Sequence, residues 1–203
     1  MRIYVCIPSF NEAQTISRVA MLIDQGLQKF SLAYYEPFDA AIINVDSAST
    51  DGTSEIFKGV NTIFPKRSMV LPEPRGKGKN LLAFAELARR DQATHCITID
   101  ADIRSMTPEW ISILLAPLVS GRADFVSPSY QRSQFEGSTT NHFAYPIVLA
   151  TTGKHVRQPI AGDFAFTRAL LEMIANISVP IPANYYGIDF YLTLLALSNG
   201  LRH

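Results

Sequence analysis

Asp100 and Asp102, in the stretch TIDADIRS, place two carboxylates at alternate positions. In an extended segment alternate side chains point the same way, so both can serve one cation. Hard oxygen donors of this kind suit Mg²⁺ or Mn²⁺, which bind through one or two carboxylates and fill their shell with water and phosphate oxygens. Upstream, RGKGKN at 75–80 gathers Arg75, Lys77 and Lys79 around two glycines, ahead of a helix-period stretch. Glycine lets backbone come close to a ligand, and a helix start presents unpaired N–H groups to an anion. A carboxylate-bound metal beside clustered cations makes sense when a polyanion such as a diphosphate lies between them. The bland alternatives are an aspartate capping a loop and a solvated basic turn. Neither a Walker P-loop nor a G-x-G-x-x-G fingerprint is present.

A third cluster, VDSASTDGTSE at 45–55, reads in part as turn chemistry with Thr50 or Asp51 as a helix cap and Glu55 in the first turn. That leaves Asp46, a carboxylate closing an apolar strand, whose oxygens could accept the N–H groups of a nucleobase.

These clusters need a scaffold that brings them together. Apolar runs at 2–8, 40–46, 95–100 and 123–127, with a shorter one at 68–71, read as buried strands. Helix-period stretches at 12–29 and 77–90 lie between them, and two more at 167–176 and 187–199 close the chain. Alternating strands and helices imply an α/β fold whose N-terminal half is a parallel sheet with right-handed crossovers. In such sheets ligands sit beyond the carboxyl ends of the strands, where Pro8, Asn11 and Glu12 join the clusters already named. After residue 128 the pattern loosens, and 129–203 is expected to line the site rather than extend the sheet.

At 203 residues the expectation is a single domain, 1–128 forming a nucleotide-binding half and 129–203 an acceptor half. Lys plus Arg and Asp plus Glu balance at 18 each, so nucleic acid is not an expected partner. There is no signal-peptide pattern and no run long enough for a transmembrane span, which points to the cytoplasm. Cys6 and Cys96 lie in apolar runs and read as buried thiols. The apolar stretch at 143–150 is compatible with a homodimer.

The segments PSFNE, VDSASTDGT, RGKGKN and DAD, in this order, resemble the nucleotide-sugar glycosyltransferases of the GT-A fold, family 2-like. QPIAGDFAF and YYGID resemble more closely the retaining branch that includes glucosyl-3-phosphoglycerate synthase and mannosylglycerate synthase. The resemblance implies a GT-A, Rossmann-like α/β fold with a mostly parallel central sheet flanked by helices. It implies a nucleotide-sugar donor, UDP-glucose or GDP-mannose in type, and a small anionic acceptor such as glycerate or 3-phosphoglycerate. Pro8, Asn11 and Glu12 would contact the nucleoside, Asp46 and Ser47 the base, and Lys77 the diphosphate. Asp100 and Asp102 would form the metal site, Arg132 and Gly162 would face the acceptor, and Asp163 and Asp189 would border the reacting sugar. The branch has a further metal-ligating histidine downstream of YGID, for which either His203 stands in here or the corresponding piece is missing, and the chain carries Asp163 and Asp189 where the branch has glutamates. Two rivals stand beside retention: an inverting transferase with Asp163 as base, and a non-catalytic nucleotide-sugar binding module.

Overall fold

The computed structural model describes residues 1–34, 36–74, 76–131 and 136–203. Six strands form one sheet in the order β3-β2-β1-β4-β6-β5. They are β1 (Arg2–Ser9), β2 (Asp39–Asp46), β3 (Lys66–Val70), β4 (His95–Ile99), β5 (Phe125–Val126) and β6 (Asp163–Thr167). Helices α1 (Ile16–Ala33), α2 (Thr53–Gly59), α3 (Lys77–Arg90), α4 (Glu109–Val119), α5 (Tyr145–Thr152), α6 (Arg168–Ala175) and α7 (Ile188–Ser198) pack around it.

The continuous apolar runs have a simple cause. Ile3, Val5 and Ile7 of β1 pack with Ile16, Val19, Ile23 and Leu27 of α1 and with Ile111 and Leu115 of α4. Tyr4 and Cys6, facing the other way, join Leu81 and Phe84 of α3, Leu171 of α6 and Leu192 of α7. A strand covered on both faces has no solvent-facing side, so apolar–polar alternation disappears. Both cysteines are free and buried.

Strands β1 to β4 are parallel, as expected. The second half departs from expectation. β6 pairs antiparallel with β4, Ile97 opposite Ala165, and β5 pairs only with β6. Residues 163–167 therefore extend the sheet as well as feeding the site. The expected N-cap at Thr50 or Asp51 is instead Gly52, at φ +87°. Helix α4 contains Pro117 in its last turn, and a π-helical turn at Thr140–Ala144 runs into α5. Among the described residues no helix is long and apolar enough to cross a membrane.

The chain steps outward from β1 to β2 and β3, then returns to place β4 on the other side of β1. That reversal opens a crevice between the carboxyl ends of β1 and β4. Ser9 and Asp100 both line it.

Helices α1 and α4 cross at Gly26, where a Cβ would lie 2.4 Å from Ile111 Cγ1 and 2.5 Å from the Pro108 carbonyl oxygen. Gly26→Ala should cost about 1–3 kcal/mol in urea denaturation, because backbone cannot yield and the clash outweighs alanine's helix propensity.

Candidate active site

Two loops carry the first part of the site. Loop 9–13 after β1 and loop 46–53 after β2 are joined by hydrogen bonds: Asn11 N–H to Ser49 Oγ (2.8 Å), Thr50 N–H to Asn11 Oδ1 (3.0 Å), Glu12 N–H to Thr53 Oγ1 (2.8 Å) and Ala13 N–H to Asp51 Oδ2 (3.0 Å). Asn11 adopts φ +57°, a conformation asparagine tolerates better than most residues, and Ala48 has φ +54°. Asp46 is buried and accepts the Ser49 N–H at 2.7 Å and the Ser9 hydroxyl at 3.4 Å. Asn11 and Asp46, expected at the nucleoside and base, thus use their side chains to build the loops and do not line the cleft.

The cleft beside these loops has a volume of about 370 Å³. Pro8, Glu12, Ser47, Lys77, Asp100 and Asp102 line it, six of the expected residues drawn from four segments. Asn80 was not foreseen. Its Oδ1 accepts the Ser47 hydroxyl at 2.5 Å, and its Nδ2 donates to the carbonyls of Val45 (2.8 Å) and Ser9 (3.3 Å), so one side chain locks α3 against the ends of β1 and β2. Phe10, Tyr185 and Tyr186 form an exposed aromatic rim. All stood in segments already singled out, but their types alone gave no role.

RGKGKN finds its explanation at the start of α3. Gly76 has φ +76°, and Gly78 lies so close to the 3₁₀ turn Ile181–Asn184 that a Cβ would meet the Ala183 carbonyl oxygen at 2.1 Å. The Gly78 N–H donates to the Tyr185 carbonyl at 2.8 Å. The close approach expected for a ligand is made to the chain's own backbone. Arg75 and Arg132 lie outside the described residues.

Lys77 is the hub. Its Nζ lies 2.8 Å from Asp100 Oδ1 and 3.0 Å from both oxygens of Asp189, with its hydrogen bond to Oδ2. Burial works against the ammonium, but the two carboxylates outweigh it and raise its pKa. The same burial pushes Asp100 up and takes Asp189 to about 6, with Lys77 pulling both back. Gly162 sits behind Asp100: its carbonyl accepts the Asp100 N–H at 3.0 Å, and a Cβ there would fall 2.4 Å from Oδ2.

Asp163 is fully buried and receives the Tyr130 hydroxyl on Oδ1, while Oδ2 has no hydrogen-bond partner among the described residues. Burial, reinforced by the Asp100 charge, raises its pKa from 3.8 to about 7. It lies under the cleft and does not line it. His203 is likewise elsewhere, its Nε2 2.8 Å from Ser127 Oγ and its ring against Phe125, in a separate cleft with Arg122 and Lys154. The stand-in expected for a metal-ligating histidine is not brought to Asp100 and Asp102, because the segment ending in His203 runs beside β5, where the Arg202 carbonyl accepts the Phe125 N–H at 3.0 Å. Among the described residues no cluster of three or more His, Cys, Asp and Glu could hold a metal.

The sequence model described as glycosyl transferase family 2 matches residues 4–177. Among solved structures, glucosyl-3-phosphoglycerate synthase from Mycobacterium tuberculosis in complex with Mn²⁺, UDP-glucose and phosphoglyceric acid is 24% identical, with a TM-score of 0.74 over 98% of this chain and 65% of that one. The same synthase in complex with UDP gives 24%, 0.75, 98% and 66%. A crystal structure described as a mycobacterial protein gives 26%, 0.73, 99% and 63%. The chain thus spans about 65% of the length of the synthase it resembles, and at this identity the likeness shows the fold. No curated protein sequence matches it.

Asp163 supplies a pH test. Between about 4 and 7 the folded chain holds a proton that the unfolded chain has lost, so this group's contribution falls as pH rises through that window. Asp163→Asn, which imitates the protonated form, should be more stable than the parent at pH 8, with the difference shrinking toward pH 4 in paired thermal melts. A difference that does not shrink toward pH 4 would contradict the upward shift.

Proposed function

The chain belongs to glycosyl transferase family 2, and from that premise we propose that it moves a hexose from a nucleoside diphosphate sugar to a small anionic acceptor, using Mg²⁺ or Mn²⁺. The observation that carries this reading is the meeting of Asp100, Asp102 and Lys77 in one cleft at the β1/β4 crevice. Glu12, Asp100 and Asp102 line that cleft together with Lys77, whose ammonium is paired with Asp100. Left alone, three carboxylates would repel a diphosphate; a divalent cation reverses that balance.

The residues fit such a cation. Asp102 is exposed in the cleft and Asp100 stands two residues before it, giving hard oxygen donors with the rest of the shell left to water and phosphate. When bound, the metal supplies Lewis acidity to the departing diphosphate. Lys77 adds a full charge on the diphosphate side. Glu12 faces the ribose, Ser47 and the aromatic rim face the nucleoside, and Asp189 orients sugar hydroxyls.

Retention is the favoured outcome. Asp163 has no exposed surface from which to take a proton from an acceptor hydroxyl, which argues against its serving as an inverting base. In the retaining reading the departing phosphate accepts that proton. The neighbouring synthase, solved with UDP-glucose and phosphoglyceric acid, supports UDP-glucose as donor and 3-phosphoglycerate as acceptor. A cytoplasmic setting and pairing of two copies through exposed side chains such as Phe143 complete the proposal.

Calorimetric titration with UDP and GDP, with Mn²⁺ and then with chelator, tests the donor site. We expect Mn²⁺-dependent binding of UDP that Asp102→Ala reduces by about 100-fold, as loss of a ligand to a phosphate-bridging metal should. Folded protein that binds neither nucleotide under any metal condition would refute the reading.

A further inference from the structure

The geometry around Lys77 says more than that it is a phosphate ligand. Asp100 has two oxygens and little freedom. Its N–H is fixed to the Gly162 carbonyl, and its Oδ2 faces Gly162 so closely that a Cβ there would stand 2.4 Å away. Its other oxygen, Oδ1, carries the Lys77 ammonium at 2.8 Å. Asp102 is the exposed member of the pair. A cation entering the cleft therefore meets one open carboxylate and one already matched by a positive charge.

Lys77 is suited to leave. It is the first residue of α3 and lines the cleft, so its flexible stem can carry the ammonium toward a ligand without moving the helix. Besides Asp100 it holds Asp189 at 3.0 Å and, more loosely, the Ala161 carbonyl at 3.4 Å, so on releasing Asp100 it keeps a carboxylate partner. What would draw it away is an anion stronger than a single carboxylate, and a diphosphate is one.

We propose that Lys77 takes the place of the divalent cation at Asp100 in the free protein and yields it when a diphosphate enters, so that metal and nucleotide bind cooperatively. The inference rests on the donor-site reading above. It adds that the cooperativity resides in this one ammonium, beyond the direct metal–phosphate contact. By linkage, whatever Lys77 costs the metal in the absence of nucleotide it returns when nucleotide is present.

The test follows Mn²⁺ binding by loss of the free-ion electron paramagnetic resonance signal, first without nucleotide. Lys77→Met should bind Mn²⁺ alone about ten-fold more tightly than the parent, and the tightening produced by UDP should shrink by a similar factor. Lys79→Met removes the same charge from the same turn at a residue that, unlike Lys77, does not line the cleft, and should leave both quantities near the parent's. If Lys77→Met does not fold, Lys77→Gln keeps hydrogen-bonding capacity without the charge and should show the same change. Equal shifts in the Lys77 and Lys79 variants would reduce the effect to general charge, and no tightening in the Lys77 variants would remove the competition; either overturns the inference while UDP binding by the parent leaves the donor site standing. Failure of the parent to bind UDP with Mn²⁺ is the separate result that removes the donor-site reading and this inference with it.

Discussion

A lysine ammonium held between two carboxylates from different parts of the chain fixes the form of this site. Asp100 follows β4 and Asp189 opens α7, 89 residues apart in sequence, and Lys77 at the head of α3 touches both. An isolated buried charge is costly, and the attraction offsets that cost only when partners are close and well placed. The arrangement therefore constrains its surroundings. Gly78 must lack a side chain so that the turn before α7 can lie against α3, and Gly162 must lack one so that Asp100 can stand where Lys77 reaches it. The family's short sequence segments are in this sense parts of one contact.

Beneath the carboxylates the floor is rigid and polar in a different way. Asn80 ties three segments with three hydrogen bonds, and the loops after β1 and β2 hold each other through backbone N–H donors and side-chain oxygen acceptors. Positive φ at Ala48, a residue with no local preference for it, indicates that tertiary contacts set that turn. The cleft so formed is preorganised where phosphates and metal would sit and rimmed by exposed aromatics where flat groups would stack. A site of this kind does its chemistry by placing charge.

Much of this could be read in the sequence, and the exceptions share a physical reason. Strands β1, β2 and β4 were legible because burial on both faces makes them uniformly apolar. β6 was not, because DFAFT is short and starts on the buried Asp163, and nothing local announces an antiparallel strand inserted beside β4. Pro117 in the last turn obscured α4. Asp100, Asp102, Lys77, Glu12, Ser47 and Pro8 were placed in the cleft by their positions after strands. Asp46 and Asn11 have the same kind of position but accept hydrogen bonds from the neighbouring loop and strand end, a difference that spacing cannot express. Tyr130 with Asp163, and His203 with Ser127, depend on contacts between distant segments, which residue type does not reveal.

The most direct test of the account is a transfer reaction followed by NMR. The protein, Mn²⁺, UDP-glucose labelled with ¹³C at the anomeric carbon and 3-phosphoglycerate would be combined, and the coupling at that carbon read in the product. The account predicts a new α-linked glucoside, matching the donor's configuration, that does not form with chelator or in Asp102→Ala. A β-linked product would contradict the reading of Asp163 as a sealed, non-catalytic carboxyl. Intact donor after prolonged incubation with folded, UDP-binding protein would contradict the assignment of acceptor or activity.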